Sequence, residues 1–144
     1  MSEMSTPDLP GISLVEELCL LAIEDDGSVA STAGEPAFGM GVVGACLVEL
    51  CIRGRLDADV RPGEGDAGPQ TVLMRIAGSP TGEPALDAVL AEVNAGPERS
   101  VVEWTRQLFP RAGELVALAL ERLEGRGVIE AKEARFVWVL KSSR

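Results

Sequence analysis

A short segment that occurs twice constrains the fold of this chain more than any other feature. The copies are Leu47–Ala58 and Leu120–Ala131, and they share Leu, Leu, Arg, Gly and Ala at matching positions. Leucines three residues apart predict the buried stripe of a helix. Arginine suits the negative end of the helix dipole, and the glycine after it supplies the left-handed residue that ends many helices. Each copy therefore predicts a helix, a sharp stop and a strand.

The repeated unit predicts a fold that is mainly α with β-hairpins. Two helix-turn-hairpin halves, which are winged-helix-like, should pack on one helical core. We expect a disordered N-terminal segment at 1–12, a domain at 13–140 with halves 13–77 and 80–140, and a tail at 141–144. The predicted helices are Leu14–Ile23, Gly39–Arg53, Pro84–Val93, Val101–Pro110 and Ala112–Arg126. The predicted strands are Leu56–Val60, Thr71–Ile76, Val128–Ala131 and Phe136–Leu140.

Local signals add detail to two of the predicted helices. Ser13 with Glu16, and Ser100 with Glu103, have the spacing of a capping box. The inward stripe of the first helix is predicted to hold Leu14, Leu18, Leu21 and Ala22. The inward residues of the helix after Ser100 are predicted to be Val101, Val102, Trp104 and Leu108.

Composition and charge exclude several classes of function. The net charge of −10 argues against nucleic acid as a partner, because phosphate neutralisation dominates such binding. The chain has no His and no Tyr, and its three cysteines lack zinc-site spacing. We therefore expect no enzyme activity, no catalytic or metal-binding residues and no cofactor. The N-terminus lacks a signal-peptide pattern and no apolar run could span a bilayer, so a cytoplasmic location is expected.

Several segments together resemble the Golgi phosphoprotein 3 family. The most specific are Arg-Gly-Arg-Leu at 53–56 and Pro-Thr-Gly-Glu-Pro-Ala-Leu-Asp at 80–87. The matching stretches follow the order and the approximate spacing of the family: Ser13–Ala22, Leu47–Leu56, Ser79–Asp87, Val102–Trp104 and Leu120–Ile129. The resemblance covers nearly all of this chain but only the N-terminal half to two-thirds of the family. We therefore expect a short form that lacks the C-terminal helices of the family, either a naturally short member or a truncated one. The Ala-, Gly-, Val- and Glu-rich composition favours a bacterial homologue.

The resemblance implies a mainly helical, non-enzymatic adaptor that binds phosphatidylinositol 4-phosphate at a membrane surface. The family's lipid pocket uses one Trp and three Arg residues. Their positions fall at about Gly34, Val43, Gly113 and Val116 of this chain, and none of these residues matches. Arg111 lies two residues from one of these positions and is the candidate substitute.

The resemblance also implies that the strand after the second helix stop mediates oligomerisation. Here that strand is an unbroken apolar run, with candidate interface residues Phe136, Val137, Trp138 and Leu140. Either the run is exposed and joins another chain, or both of its faces are buried and Trp138 is an ordinary core residue.

The leading hypothesis is a non-catalytic binding module whose partner is another protein chain or a second copy. The alternatives are a peripheral membrane protein that binds phosphoinositide or another anionic lipid, and a winged-helix DNA-binding regulator. Arg53, Gly54, Arg126 and Gly127 are expected to be structural. The two arginines should form salt bridges and stabilise helix ends, and anion binding is the alternative.

Overall fold

The computed structural model describes residues 11–23, 36–76, 78–132 and 137–140, with side chains up to Ile129. Its helices are α1 (Leu14–Ala22), α2 (Pro36–Ile52), α3 (Pro84–Ala95), α4 (Val101–Leu108) and α5 (Ala112–Gly125), with a 3₁₀ turn at Phe109–Arg111. Its strands are β1 (Leu56–Arg61), β2 (Gln70–Arg75), β3 (Arg99–Ser100), β4 (Ile129–Lys132) and β5 (Val137–Leu140). The predicted fold class, mainly helical with hairpins, is confirmed. Its winged-helix-like character stays a prediction.

The repeated motif forms the same structure in both places. Gly54 and Gly127 have φ angles of 75° and 79°, in the left-handed region that glycine adopts most readily. In each copy the glycine N–H and the next N–H donate to carbonyls of the last helical turn, which is the Schellman arrangement. The donor–acceptor pairs are Gly54 to Cys51 at 3.0 Å, Arg55 to Leu50 at 2.9 Å, Gly127 to Glu124 at 3.0 Å and Val128 to Leu123 at 3.0 Å. The predicted helix stops are confirmed, and so are both capping boxes.

The strands form two separate antiparallel sheets. β1, β2 and β3 make a three-stranded sheet in that order, with Leu56 opposite Arg75 and Val72 opposite Ser100. β4 and β5 make a hairpin with Ile129 opposite Leu140. The two-residue strand β3 was not predicted, because two residues are too few for a strand pattern and Ser100 is also the N-cap of α4.

One hydrophobic core draws on both predicted halves. α2 lies at its centre, in contact with α1, α3, α4 and α5. Cys46 and Leu50 of α2 are fully buried, as are Leu86 of α3 and Leu123 of α5. The core residues of α1 and α2 therefore pack against core residues of α3, α4 and α5.

The predicted inward face of α1 is wrong, and that of α4 is right in part. α1 buries Val15, Glu16 and Cys19, whereas Leu14 is 37% exposed and Leu21 is 85% exposed. The sequence of α1 is apolar on almost every side, so periodicity alone does not select the inner face. Val15 and Cys19 face the core, and Leu20 packs against it while partly buried. In α4, Trp104 and Leu108 are buried as predicted, but Val102 is 63% exposed.

Candidate functional site

The C-terminal hairpin holds most of the predicted interaction residues. β5 runs antiparallel to β4, with Ala131 opposite Trp138 and Lys132 opposite Val137. β4 packs against α5, and Ile129 at its start is buried. Within the part of the chain that the structure describes, β5 pairs only with β4, so its other edge has no strand partner. Phe136 lies outside the described residues, as do 1–10, Gly34 and 141–144.

The register of the hairpin separates the β5 positions into two sets. Positions directly opposite each other share one side of an antiparallel ribbon, and neighbours along a strand alternate. The positions of Trp138 and Leu140 are therefore on the side of buried Ile129. The positions of Val137 and Val139 are on the other side. Backbone register thus assigns apolar residue types to both sides of β5.

Arg111, the candidate lipid contact, is held by two carboxylates. Its Nε and Nη2 donate to the two carboxylate oxygens of Glu114 at 2.9 and 2.8 Å, and its Nη1 donates to Glu92 at 2.9 Å. The hydrogen bonds with Glu114 raise the pKa of Arg111 and lower the pKa of Glu114. A lipid phosphate would have to displace these carboxylates. Two of the positions carried over from the family, Val43 and Val116, are buried aliphatic residues.

Sequence reasoning missed a chain of five charged residues, here called the ion-pair chain. It runs from Glu16 through Arg122, Glu83 and Arg53 to Glu49, and so links α1, α5, the start of α3 and α2. Arg122 Nη1 lies 2.6 Å from Glu16 and 3.6 Å from Glu83. Arg53 contacts Glu83 and lies 2.9 Å from Glu49. The predicted salt bridges of Arg53 are confirmed.

The ion-pair chain also carries backbone hydrogen bonds. The Ser13 N–H donates to Glu16 at 3.0 Å, and the Leu14 N–H donates to Glu49 at 3.1 Å. Glu16 and Glu83 are buried, and every member of the ion-pair chain has an oppositely charged neighbour. This pattern is that of a structural network, because buried charges are stable only when paired. The capping-box spacing predicted Glu16, but its pairing with Arg122 spans 106 residues.

Arg126, in the second copy of the motif, donates from Nη1 to the carbonyl of Gly11 at 3.0 Å. The two motif arginines therefore have different partners, although they occupy equivalent positions at a helix stop. Arg53 joins the ion-pair chain, and Arg126 reaches the segment before α1. The contact of Arg53 is the predicted salt bridge, and the salt bridge expected of Arg126 stays a prediction.

The cysteines are poor candidates for chemistry. Burial raises the pKa of the Cys19 and Cys46 thiols to about 12, and it also raises the pKa of Cys51. A neutral thiol is neither a strong nucleophile nor a metal ligand. The described residues contain no group of three or more potential metal ligands. Their helices are all too short or too polar to cross a membrane.

One comparison with known proteins identifies a family. A family model described as Golgi phosphoprotein 3 (GPP34) matches residues 14–144, which is nearly the whole chain. No curated protein matches.

Proposed function

Because the chain belongs to the Golgi phosphoprotein 3 family, a family of non-enzymatic adaptor-type proteins, we propose that it is a binding module that acts through its C-terminal hairpin. The partner is another protein chain or a second copy of this one. Its contact residues are Phe136, Val137, Trp138 and Leu140. The observation that carries the proposal is the edge of β5, which has no strand partner among the described residues.

An edge strand presents backbone N–H and C=O groups that a further strand can pair with. Proteins usually protect such edges with charged side chains. β1, at the edge of the other sheet, fits that rule, since its sequence is Leu-Asp-Ala-Asp-Val-Arg and its Asp57 and Asp59 are exposed. β5 reads Val-Trp-Val-Leu and carries no charge. This contrast between the charged edge strand β1 and the uncharged edge strand β5 supports β5 as a docking edge.

The test is sedimentation velocity over a concentration series, with Val137→Glu as the variant. Val137 lies opposite Lys132, so the new carboxylate can form a favourable cross-strand pair and leave the hairpin intact. We expect wild type to form a concentration-dependent larger species, or to bind a partner protein, and the variant to lose at least tenfold in affinity. The matched control is Val60→Glu on β1, where the side chain is already 68% exposed. If Val137→Glu assembles as wild type does, the hairpin is not the binding edge.

The two alternatives have less support. For phosphoinositide binding, the guanidinium of Arg111 is already bound by Glu114 and Glu92. For DNA binding, α5 is mostly aliphatic, and the net charge of −10 opposes contact with a phosphate backbone. The phosphoinositide alternative can be tested by flotation with vesicles that contain phosphatidylinositol 4-phosphate. If the protein floats with these vesicles at moderate salt, it binds phosphoinositide despite the pairing of Arg111.

A further inference from the structure

α2 is apolar on all sides, yet only part of its surface lies in the core. Its sole charged residue is Glu49. The core side is formed by Gly39, Val42, Val43, Cys46, Leu47 and Leu50. On its outer side Met40, Val48 and Ile52 are 47%, 50% and 71% exposed. A helix without a polar face is normally covered all round, so this outer side is suited to a further contact.

α1 extends the same apolar surface. Leu14, Leu18 and Leu21 line a shallow groove of about 300 Å³ with Gly41, Gly44, Ala45 and Val48 of α2. Among the described residues, most of the exposed large hydrophobic side chains lie on these two helices. We define the α1–α2 face as these exposed side chains and the small residues between them: Leu14, Leu21, Met40, Val48, Ile52, Gly41, Gly44 and Ala45.

The charge of the α1–α2 face limits what can cover it. α1 and α2 contain no Lys and no Arg. Glu16 and Glu49 are paired with Arg122 and Arg53, and among the described residues that line the groove only Glu17 is charged. The described part of this face therefore offers a strongly charged partner almost nothing to pair with. An equally uncharged surface fits best, and the chain itself carries one.

We propose that the α1–α2 face is an isologous interface that takes a second copy of this chain. Gly44 lies at the middle of the exposed stripe, with Met40 and Val48 each four residues away. If two α2 helices cross antiparallel at Gly44, Met40 of each copy meets Val48 of the other. A Cβ added to Gly44 would meet nothing within 4 Å, so the space for a close crossing is open. The same residues then serve both copies, as twofold symmetry requires.

The size of the face agrees with a weak dimer. The exposed parts of its large side chains form a patch on the order of 500 Å². Pairing two such patches buries about 1,000 Å² in total, which is near the lower limit for a specific interface. The dimer should therefore be concentration-dependent. It does not involve β5, so it is separate from the docking edge proposed above.

The variants Gly44→Leu and Leu21→Glu test the α1–α2 face by sedimentation velocity over a concentration series. Leucine in the open space at Gly44 blocks the close crossing but favours the helix more than glycine does, so the Tm should not fall. We expect each variant to weaken self-association at least tenfold. The matched control is Val102→Glu on α4, where the side chain is 63% exposed and self-association should stay unchanged.

Several outcomes would overturn the inference. In one, the wild-type protein is monomeric at every concentration. In another, the Gly44→Leu and Leu21→Glu variants associate as wild type does. If only Val137→Glu abolishes association, the hairpin is the sole interface, and the proposed function survives without this second contact. If wild type floats with phosphatidylcholine vesicles and Leu21→Glu does not, the face binds lipid instead. Loss of association in Gly44→Leu but not in Val137→Glu supports the α1–α2 face and counts against the hairpin.

Discussion

Two single glycines fix where the repeated units turn from helix to strand. Gly54 and Gly127 have positive φ, and nothing crowds either Cβ position. We predict that Gly54→Ala and Gly127→Ala each lower the free energy of unfolding by about 1–2 kcal/mol, because an L-residue is strained in the left-handed region. Urea unfolding followed by circular dichroism measures the change. Gly113→Ala in α5 is the control, since it has open space without a positive φ and should cause no loss. Equal losses in all three variants would contradict this account.

The cysteines make a second prediction at the scale of single residues. Cys19 and Cys46 are fully buried, whereas Cys51 is half-buried at the end of α2. A disulfide reagent should modify Cys51 first in the folded protein and reach the other two only on unfolding. Replacing Cys51 by Ala should remove the fast phase. Rapid modification of all three thiols without unfolding would contradict the burial of α1 against α2.

The same two buried thiols predict a loss of stability in alkali. Burial raises the pKa of Cys19 and Cys46 from 9.0 to about 12, so the folded protein favours the neutral thiol. This contribution is fully present below pH 9 and is lost as the pH rises towards 12. Urea midpoints of wild type and of a Cys46→Ala variant should therefore converge between pH 9 and pH 11. A constant gap between them would count against the raised pKa.

At the scale of elements, the sequence predicts the positions of helices and strands better than their orientation. The helix stops at Gly54 and Gly127 are local features, so spacing alone was enough to predict them. The inner face of α1 depends on distant contacts, among them the pairing of Glu16 with Arg122, which no local pattern reveals. The pairing of β3 with β2 could not be predicted from the sequence either, since two residues are too few for a strand pattern.

The orientation of α1 can be tested directly. Val15 is 0% exposed and Leu21 is 85% exposed. Val15→Ala should lower the free energy of unfolding by about 1–2 kcal/mol through lost burial and a small cavity. Leu21→Ala removes a larger side chain. It should nevertheless change the free energy of unfolding by less than about 0.5 kcal/mol, because substitutions at exposed positions usually have small effects. Chemical denaturation of both variants at low protein concentration, where the monomer dominates, measures the difference. If Leu21→Ala lowered the free energy of unfolding more than Val15→Ala did, the inner face of α1 would be the predicted stripe of leucines.

At the scale of the whole molecule, the two repeated units are bound into one structure by the core and by the ion-pair chain. The apolar run at β5 was visible in the sequence because it is continuous. The ion-pair chain and the α1–α2 face were not, because each collects residues that the fold brings together from separate helices. The described chain therefore has two candidate surfaces of different origin, a strand edge predicted from sequence and a helical face found only in the structure.

The ion-pair chain yields a prediction about how α1, α2, α3 and α5 are held together. Arg122→Met leaves the carboxylate of Glu16 buried without its charged partner, so the free energy of unfolding should fall by about 3 kcal/mol. Adding Glu16→Gln removes that unpaired charge, and the double variant should recover part of the loss. Arg111→Met is the matched control, because it breaks two exposed ion pairs, with Glu92 and Glu114, that contribute about 1 kcal/mol or less each. Equal losses in Arg122→Met and Arg111→Met would mean that the ion-pair chain is no more than a surface feature, and that the hydrophobic core alone joins these helices.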